Sequence, residues 1–138
     1  MSRDLYQDAI RDLAQKSRGR GRLADPDRTV TLDNPLCGDR ITVDVALDDD
    51  RVTAVGHEVR GCLLCEAGAE LIAETIPGRS TPELLDLPGQ VKAYLQEDGA
   101  AAPLAGLEPF APARAFRSRH RCVTLPFEAL AKALRARD

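Results

Sequence analysis

The run Ile41-Thr42-Val43-Asp44-Val45-Ala46-Leu47 alternates apolar and polar side chains at period two, the pattern of a strand with one buried face. Asp48-Asp49-Asp50 then turns the chain, and Val52, Val55 and Val59 mark a second strand, so the pair reads as a hairpin. Upstream, Thr29-Val30-Thr31-Leu32 reads as a short strand stopped by the turn initiator Asn34-Pro35. Three consecutive strands with short connections favour an antiparallel sheet, and such a sheet needs helices to cover its apolar face.

Helical periodicity flanks these strands. Residues 3 to 16 carry Tyr6, Ile10 and Leu13 at helical spacing, and Gly19 and Gly21 are expected to end that helix. From about Cys62 a stripe of Leu64, Ala67, Gly68, Leu71, Ile72 and Thr75 runs until Pro77-Gly78. Ser80-Thr81-Pro82-Glu83 has the form of a capping box. Leu84, Leu85 and Leu87 follow it; Pro88-Gly89 is read as an interruption, after which Val91, Tyr94 and Leu95 resume a helical stripe. A loop at Gly99 to Pro103 precedes a short helical turn over residues 104 to 110, closed by Pro109 and Pro112. The last helix is expected near Leu125 to Arg135, through Phe127, Leu130 and Leu134. With 138 residues, 43% of them apolar, the chain is expected to form a single domain, 1–138, that needs no disulfide staple.

A net charge of −3 gives no overall case for nucleic acid, and three Phe, two Tyr and no Trp leave little for base stacking. Two local basic runs stand out. Lys16 to Arg22 reads as a solvated loop or as the docking site of an acidic protein partner, and Arg114, Arg117, Arg119 and Arg121 lie just ahead of Cys122. No stretch approaches the roughly 20 apolar residues of a membrane span, and the first residues lack the apolar core of a signal peptide. The reading is cytoplasmic, where thiols stay reduced and more often bind metal or do chemistry.

The chemistry-bearing residues fall at expected element boundaries. Cys37 and Asp39 flank Gly38 in the turn before the second strand; Cys62 and Cys65 stand at the start of a helix; Cys122 comes just before the last helix. Cys37, Asp39, Cys62 and Cys122 would make a Cys3Asp set suited to tetrahedral zinc, and the carboxylate is the ligand most readily displaced by an incoming sulfur donor. Cys65 has three open readings: a thiolate that replaces or adds to Asp39, a resolving thiol, or a packing residue. His57 reads as a surface or half-buried strand residue rather than a ligand. Gly19-x-Gly21 lacks the strand-turn-helix setting of a phosphate loop.

Leu5-Tyr6 with Asp8 and Ile10, Asn34-Pro35-Leu36-Cys37-Gly38-Asp39, Gly61-Cys62, and Arg119 followed by Cys122-Val123-Thr124-Leu125-Pro126 resemble the IscU/SufU/NifU N-terminal family of iron-sulfur cluster assembly proteins. The resemblance spans nearly the whole chain and is closer to the SufU-like branch. Cys62 and Cys122 are 60 positions apart, Arg121 stands where IscU-like members have His, and His120 is one position off. It implies an α+β fold, a three-stranded antiparallel sheet with about four to six helices packed mainly on one face.

The resemblance further implies Zn2+ held by Cys37, Asp39, Cys62 and Cys122, or a transient [2Fe-2S] cluster on the same residues. The partner it implies is a pyridoxal-phosphate cysteine desulfurase of the SufS type, with downstream iron-sulfur assembly or acceptor proteins, and the chain is a monomer or weak dimer. Cys37 would be the thiol freed from the metal to accept persulfide sulfur, and Arg119 would pair with Asp39 once that carboxylate leaves the metal. On this reading the chain is at most a sulfurtransferase, not a stand-alone enzyme. The alternative is a small CxxC redox or structural zinc module on Cys62 and Cys65. In that module the turn at Cys37 to Asp39 would be idle.

Overall fold

The computed structural model describes residues 7–36, 38–97 and 101–135. Strands β1 (Arg28–Asn34), β2 (Asp39–Asp48) and β3 (Arg51–Arg60) form one antiparallel sheet in the order β1-β2-β3. Their registers pair Leu32 with Ile41, Val43 with His57 and Val45 with Val55, so one face of the sheet is apolar. The three-Asp turn is tight, with Asp49 in the left-handed region at φ 56°, a conformation Asp tolerates better than most residues. The fold is α+β as expected, and the described residues contain five α-helices.

These helices are α1 (Asp8–Arg20), α2 (Leu63–Thr75), α3 (Thr81–Leu84), α4 (Leu87–Gln96) and α5 (His120–Arg135), with 3-10 turns at Glu108–Ala115 and Arg117–Arg119. Helix α2 is central: every residue from Leu64 to Ala73 is buried, as required of a helix packed on several sides. It lies between α1, β3 and α5, while α5 covers β1 and β2. A Cβ at Gly68 of α2 would come within 3.2 Å of the Pro126 ring of α5. The missing side chain therefore lets α2 and α5 approach closely, which brings their N-termini together.

Four sequence expectations need correction. Helix α1 runs through Gly19 and stops at Gly21, which has φ 75°; one Gly is tolerated inside a helix, whereas the positive φ at Gly21 ends it. The part of this helix expected over residues 3–6 lies outside the described residues. Pro88 does not interrupt a helix but starts α4, its missing N–H falling where no helical partner exists. Pro109 and Pro112 lie within the 3-10 turn rather than closing a helical one. Helix α5 begins at His120 rather than near Leu125, so Cys122 is in its first turn and Pro126 is inside it. The capping box at Ser80 is formed, the Ser80 N–H donating to Glu83 at 2.9 Å.

The basic run Lys16 to Arg22 is helical through Arg20 rather than a loop, and its arginines are held in ion pairs within the fold. Arg18 grips Glu66 with two hydrogen bonds at 3.0 and 2.9 Å, and Arg20 grips Glu70 with two at 2.8 Å. Arg22 holds Asp44 at 2.6 and 3.0 Å on the opposite face of the sheet. The paired geometry suits the guanidinium fork. This comb ties α1 to α2 and then carries the chain over β3, where a Cβ at Gly56 would strike the Leu23 backbone N at 2.7 Å.

His57 is 1% exposed, buried rather than at the surface, and its Nε2 lies 3.3 Å from Glu70 Oε1. Burial holds its pKa below the ordinary value, and nearby Arg20 adds to this, against the raising effect of Glu70. A histidine neutral in the fold and titrating near 6.5 when unfolded takes up more protons unfolded, so stability falls as pH drops below about 6.5. Denaturant unfolding at pH 8, 6 and 5 is expected to show a loss of up to about 1.4 kcal/mol per pH unit. His57→Gln is expected to flatten that slope, and an unchanged slope would assign it to other groups.

Candidate metal centre

Three elements end at one corner of the molecule. Asp39 is the first residue of β2, Cys62 caps the N-terminus of α2, and Cys122 lies in the first turn of α5. One ligand atom from each falls within 4.8 Å of the others, and the group is buried apart from partly exposed Cys62. Gly38, at φ 72°, supplies the left-handed bend from the turn into β2. Cys37 lies outside the described residues. Its neighbour Leu36 is 91% exposed.

The Asp39 carboxylate is held from one side. Its Oδ1 accepts the Cys62 backbone N–H at 2.9 Å, while Oδ2 is buried with no hydrogen-bond partner among the described residues. Gly61 leaves the room for this, since a Cβ there would overlap the carboxylate. An unpartnered buried carboxylate oxygen costs free energy, and here it sits beside two thiols.

The Cys62 thiol is lowered to about 7. A hydrogen bond with Cys122 is the largest cause, burial opposes it, and the backbone N–H groups of Cys65 and Leu64 help. This is the polarising effect expected at a helix N-terminus. Cys65 has the opposite character. It is fully buried in the core, and burial pushes its thiol far above the ordinary range, with the neighbouring Asp39, Cys62 and Glu66 adding to the rise. It is not among the converging ligand atoms.

Arg119 lies half-buried in the 3-10 turn that leads into α5. Within the same basic run, Arg114 donates to the Tyr94 carbonyl at 2.7 Å and lies over its ring, and Arg121 pairs with Glu128. Sequence reasoning passed over Asn34 as a site residue. It is 1% exposed, and both its side-chain oxygen and nitrogen are unpartnered among the described residues. The available signal was its place in the turn motif, directly opposite Asp39 in the β1–β2 register. No helix among the described residues is long and apolar enough to cross a membrane.

Comparison with known proteins agrees with this geometry. Residues 5–101 match the NifU-like N terminal domain family. The chain is 31% identical over 130 residues to the zinc-dependent sulfurtransferase SufU of Bacillus subtilis, covering 93% of this chain and 88% of that protein. It is 29% identical over 133 residues to the iron-sulfur cluster assembly scaffold protein IscU of Streptococcus pyogenes, covering 95% and 83%. Among solved structures, a NifU-like N-terminal protein from Brucella abortus superimposes with a TM-score of 0.85 at 30% identity, over 96% of this chain and 94% of that one. A SufU protein from Fervidobacterium islandicum shares the fold, with a TM-score of 0.88 at 23% identity, covering 98% and 100%. The family match over most of the chain, two relatives aligned through Cys122 and the shared fold together place this chain in the IscU/SufU/NifU N-terminal family.

Proposed function

We propose that the chain takes persulfide sulfur from a cysteine desulfurase and serves iron-sulfur cluster assembly, with Cys37 as the sulfur acceptor and a metal held by Asp39, Cys62, Cys122 and Cys37. The observation that carries this reading is the convergence of Asp39, Cys62 and Cys122 in a chain of this family. The donor set fits zinc. Tetrahedral zinc keeps its ligand atoms about 3.6 Å apart, which small side-chain adjustments reach from the 4.8 Å envelope, and the unpartnered Asp39 Oδ2 offers a ready lone pair. When bound, zinc keeps its cysteine ligands deprotonated.

The chain's own residues account for the rest. The Cys62 N–H holds Asp39 in place, the N-termini of α2 and α5 favour thiolates at Cys62 and Cys122, and the role assigned to Arg119, in the turn that leads into α5, is to take up the Asp39 carboxylate when it is displaced. In sulfur transfer the Cys37 thiolate attacks the outer sulfur of the donor persulfide. The donor S–S bond breaks, the donor cysteine leaves as a thiolate, and no outside oxidant or reductant is consumed. In cluster assembly, iron and sulfide are cargo on the same residues, as a [2Fe-2S] unit passed on to acceptor proteins. The redox reading on Cys62 and Cys65 has less support, because a resolving thiol must be accessible and ionisable, whereas Cys65 is fully buried with a raised pKa.

Incubation with a cysteine desulfurase and cysteine, then alkylation and peptide mass analysis, tests the transfer. One added sulfur is expected on the Cys37 peptide and none in Cys37→Ser. Sulfur on Cys62, Cys65 or Cys122 with Cys37 unmodified would contradict the assignment.

A further inference from the structure

A cationic hollow runs along the end of α4 and the first turns of α5. Two adjoining depressions of about 370 and 270 Å³ share Gln96, Arg117 and His120; Arg114 lines the first, and Lys92 and Arg121 line the second. The acidic residue in these linings is Glu128, and it is engaged by Arg121 at 3.2 Å and by the Thr124 hydroxyl at 2.8 Å. Elsewhere in this fold clustered arginines meet carboxylates, as Arg18, Arg20 and Arg22 meet Glu66, Glu70 and Asp44. Here Lys92 and Arg117 are exposed and have no ion pair among the described residues. The first turn of α5 holds no acidic residue, so the partial positive charge of the helix end adds to the cations. Arg114 is already fixed, its Nε donating to the Tyr94 carbonyl at 2.7 Å and its guanidinium carbon 4.3 Å from the centre of the Tyr94 ring. A side chain held in place loses little freedom when a partner arrives.

We propose that this hollow is the docking site for an acidic segment of a partner protein. The inference goes beyond the sulfur-transfer reading and does not depend on a metal. In a chain of net charge −3, a local excess of positive charge attracts an acidic partner that the rest of the surface repels. The cations are strung out, with Lys92 in one depression, Arg114 in the other and Arg117 between them. That spacing suits carboxylates carried along a peptide better than one phosphate-sized anion, which calls for donors gathered on a point. Single-stranded nucleic acid needs an open aromatic face as well as cations, and the ring beneath this hollow, Tyr94, is 5% exposed and covered by Arg114. His120 and Arg121 immediately precede Cys122, so a partner held here is held within a helical turn of the corner where Asp39, Cys62 and Cys122 meet.

The test is the binding of a fluorescent oligoglutamate peptide to the folded full-length chain, read by anisotropy at about 0.1 M salt, where charges more than about 10 Å away are largely screened. The wild-type chain is expected to bind the peptide. Lys92→Glu combined with Arg117→Glu is expected to weaken binding by about tenfold or more. The same change of charge made on α1, Arg11→Glu combined with Lys16→Glu, is expected to weaken it by less than about threefold. Amide NMR shifts on adding the peptide to the wild-type chain are expected at Lys92, Gln96, Arg117 and His120, which decides the matter if the first double variant does not fold. No binding to the wild-type chain, equal loss in the two double variants, or shifts centred on other residues would overturn the inference. So would displacement of the peptide by inorganic phosphate at matched charge, which would mark a small-anion site, or tighter binding of an oligothymidylate that is lost in the Lys92 and Arg117 variant. None of these outcomes touches the sulfur-transfer reading, since neither desulfurase nor metal enters the experiment.

Discussion

Cys62→Ala and Cys122→Ala are each expected to reduce bound metal from about one ion per chain to near zero and to cut sulfur acceptance on the order of 100-fold or more. The two thiols hydrogen-bond to each other and stand beside Asp39, so either loss leaves too few donors to close a tetrahedral site. Cys65→Ala removes an equally cysteine-like residue three positions from Cys62, yet it is expected to keep its metal. Its cost is that of a small buried atom lost from the core, about 1 kcal/mol. Metal analysis beside denaturant unfolding checks the contrast, and loss of metal in Cys65→Ala equal to that in Cys62→Ala would make Cys65 a ligand.

Asp39→Ala is expected to lower zinc affinity by about 10- to 100-fold without unfolding the chain, because it removes one ligand and one hydrogen bond at the end of a strand, at a cost of about 1–2 kcal/mol. Gly61→Ala is expected to give the same metal phenotype by another route, since its Cβ would occupy the place of the carboxylate. A [2Fe-2S] cluster reconstituted on Asp39→Ala is expected to outlast the wild-type cluster if assembly is the chain's work, as the displaceable ligand is gone. Visible absorption over time reads this directly. Lost sulfur acceptance with no stable cluster in either protein favours zinc-dependent transfer, and no change in zinc, cluster or sulfur would contradict both roles.

The sheet was legible because its strands announce themselves locally. Residues 41–47 alternate, the Asp triplet turns them, and the register that follows puts Val43 and Val45 against His57 and Val55. The meeting of Asp39, Cys62 and Cys122 was legible through the motif, with Gly38 bending as its position demands. What escaped were pairings made only by the tertiary fold. Arg18, Arg20 and Arg22 look like a solvent-facing run until Glu66, Glu70 and Asp44, 48, 50 and 22 residues away, come opposite them. His57 has no titratable neighbour in its strand except Glu58, and its burial depends on α2 bringing Glu70 beneath it. The start of α5 was hidden because Pro126, a natural first-turn residue, is tolerated inside the helix, where it packs against Gly68 of α2.

The central claim is that Asp39, Cys62 and Cys122 hold a metal, and X-ray absorption on protein purified without added metal tests it most directly. About one zinc per chain with three sulfur ligands near 2.3 Å and one oxygen near 2.0 Å is the predicted result. A folded, metal-free protein with four freely titrating thiols, or a zinc shell without the oxygen that persists unchanged in Asp39→Ala, would contradict it.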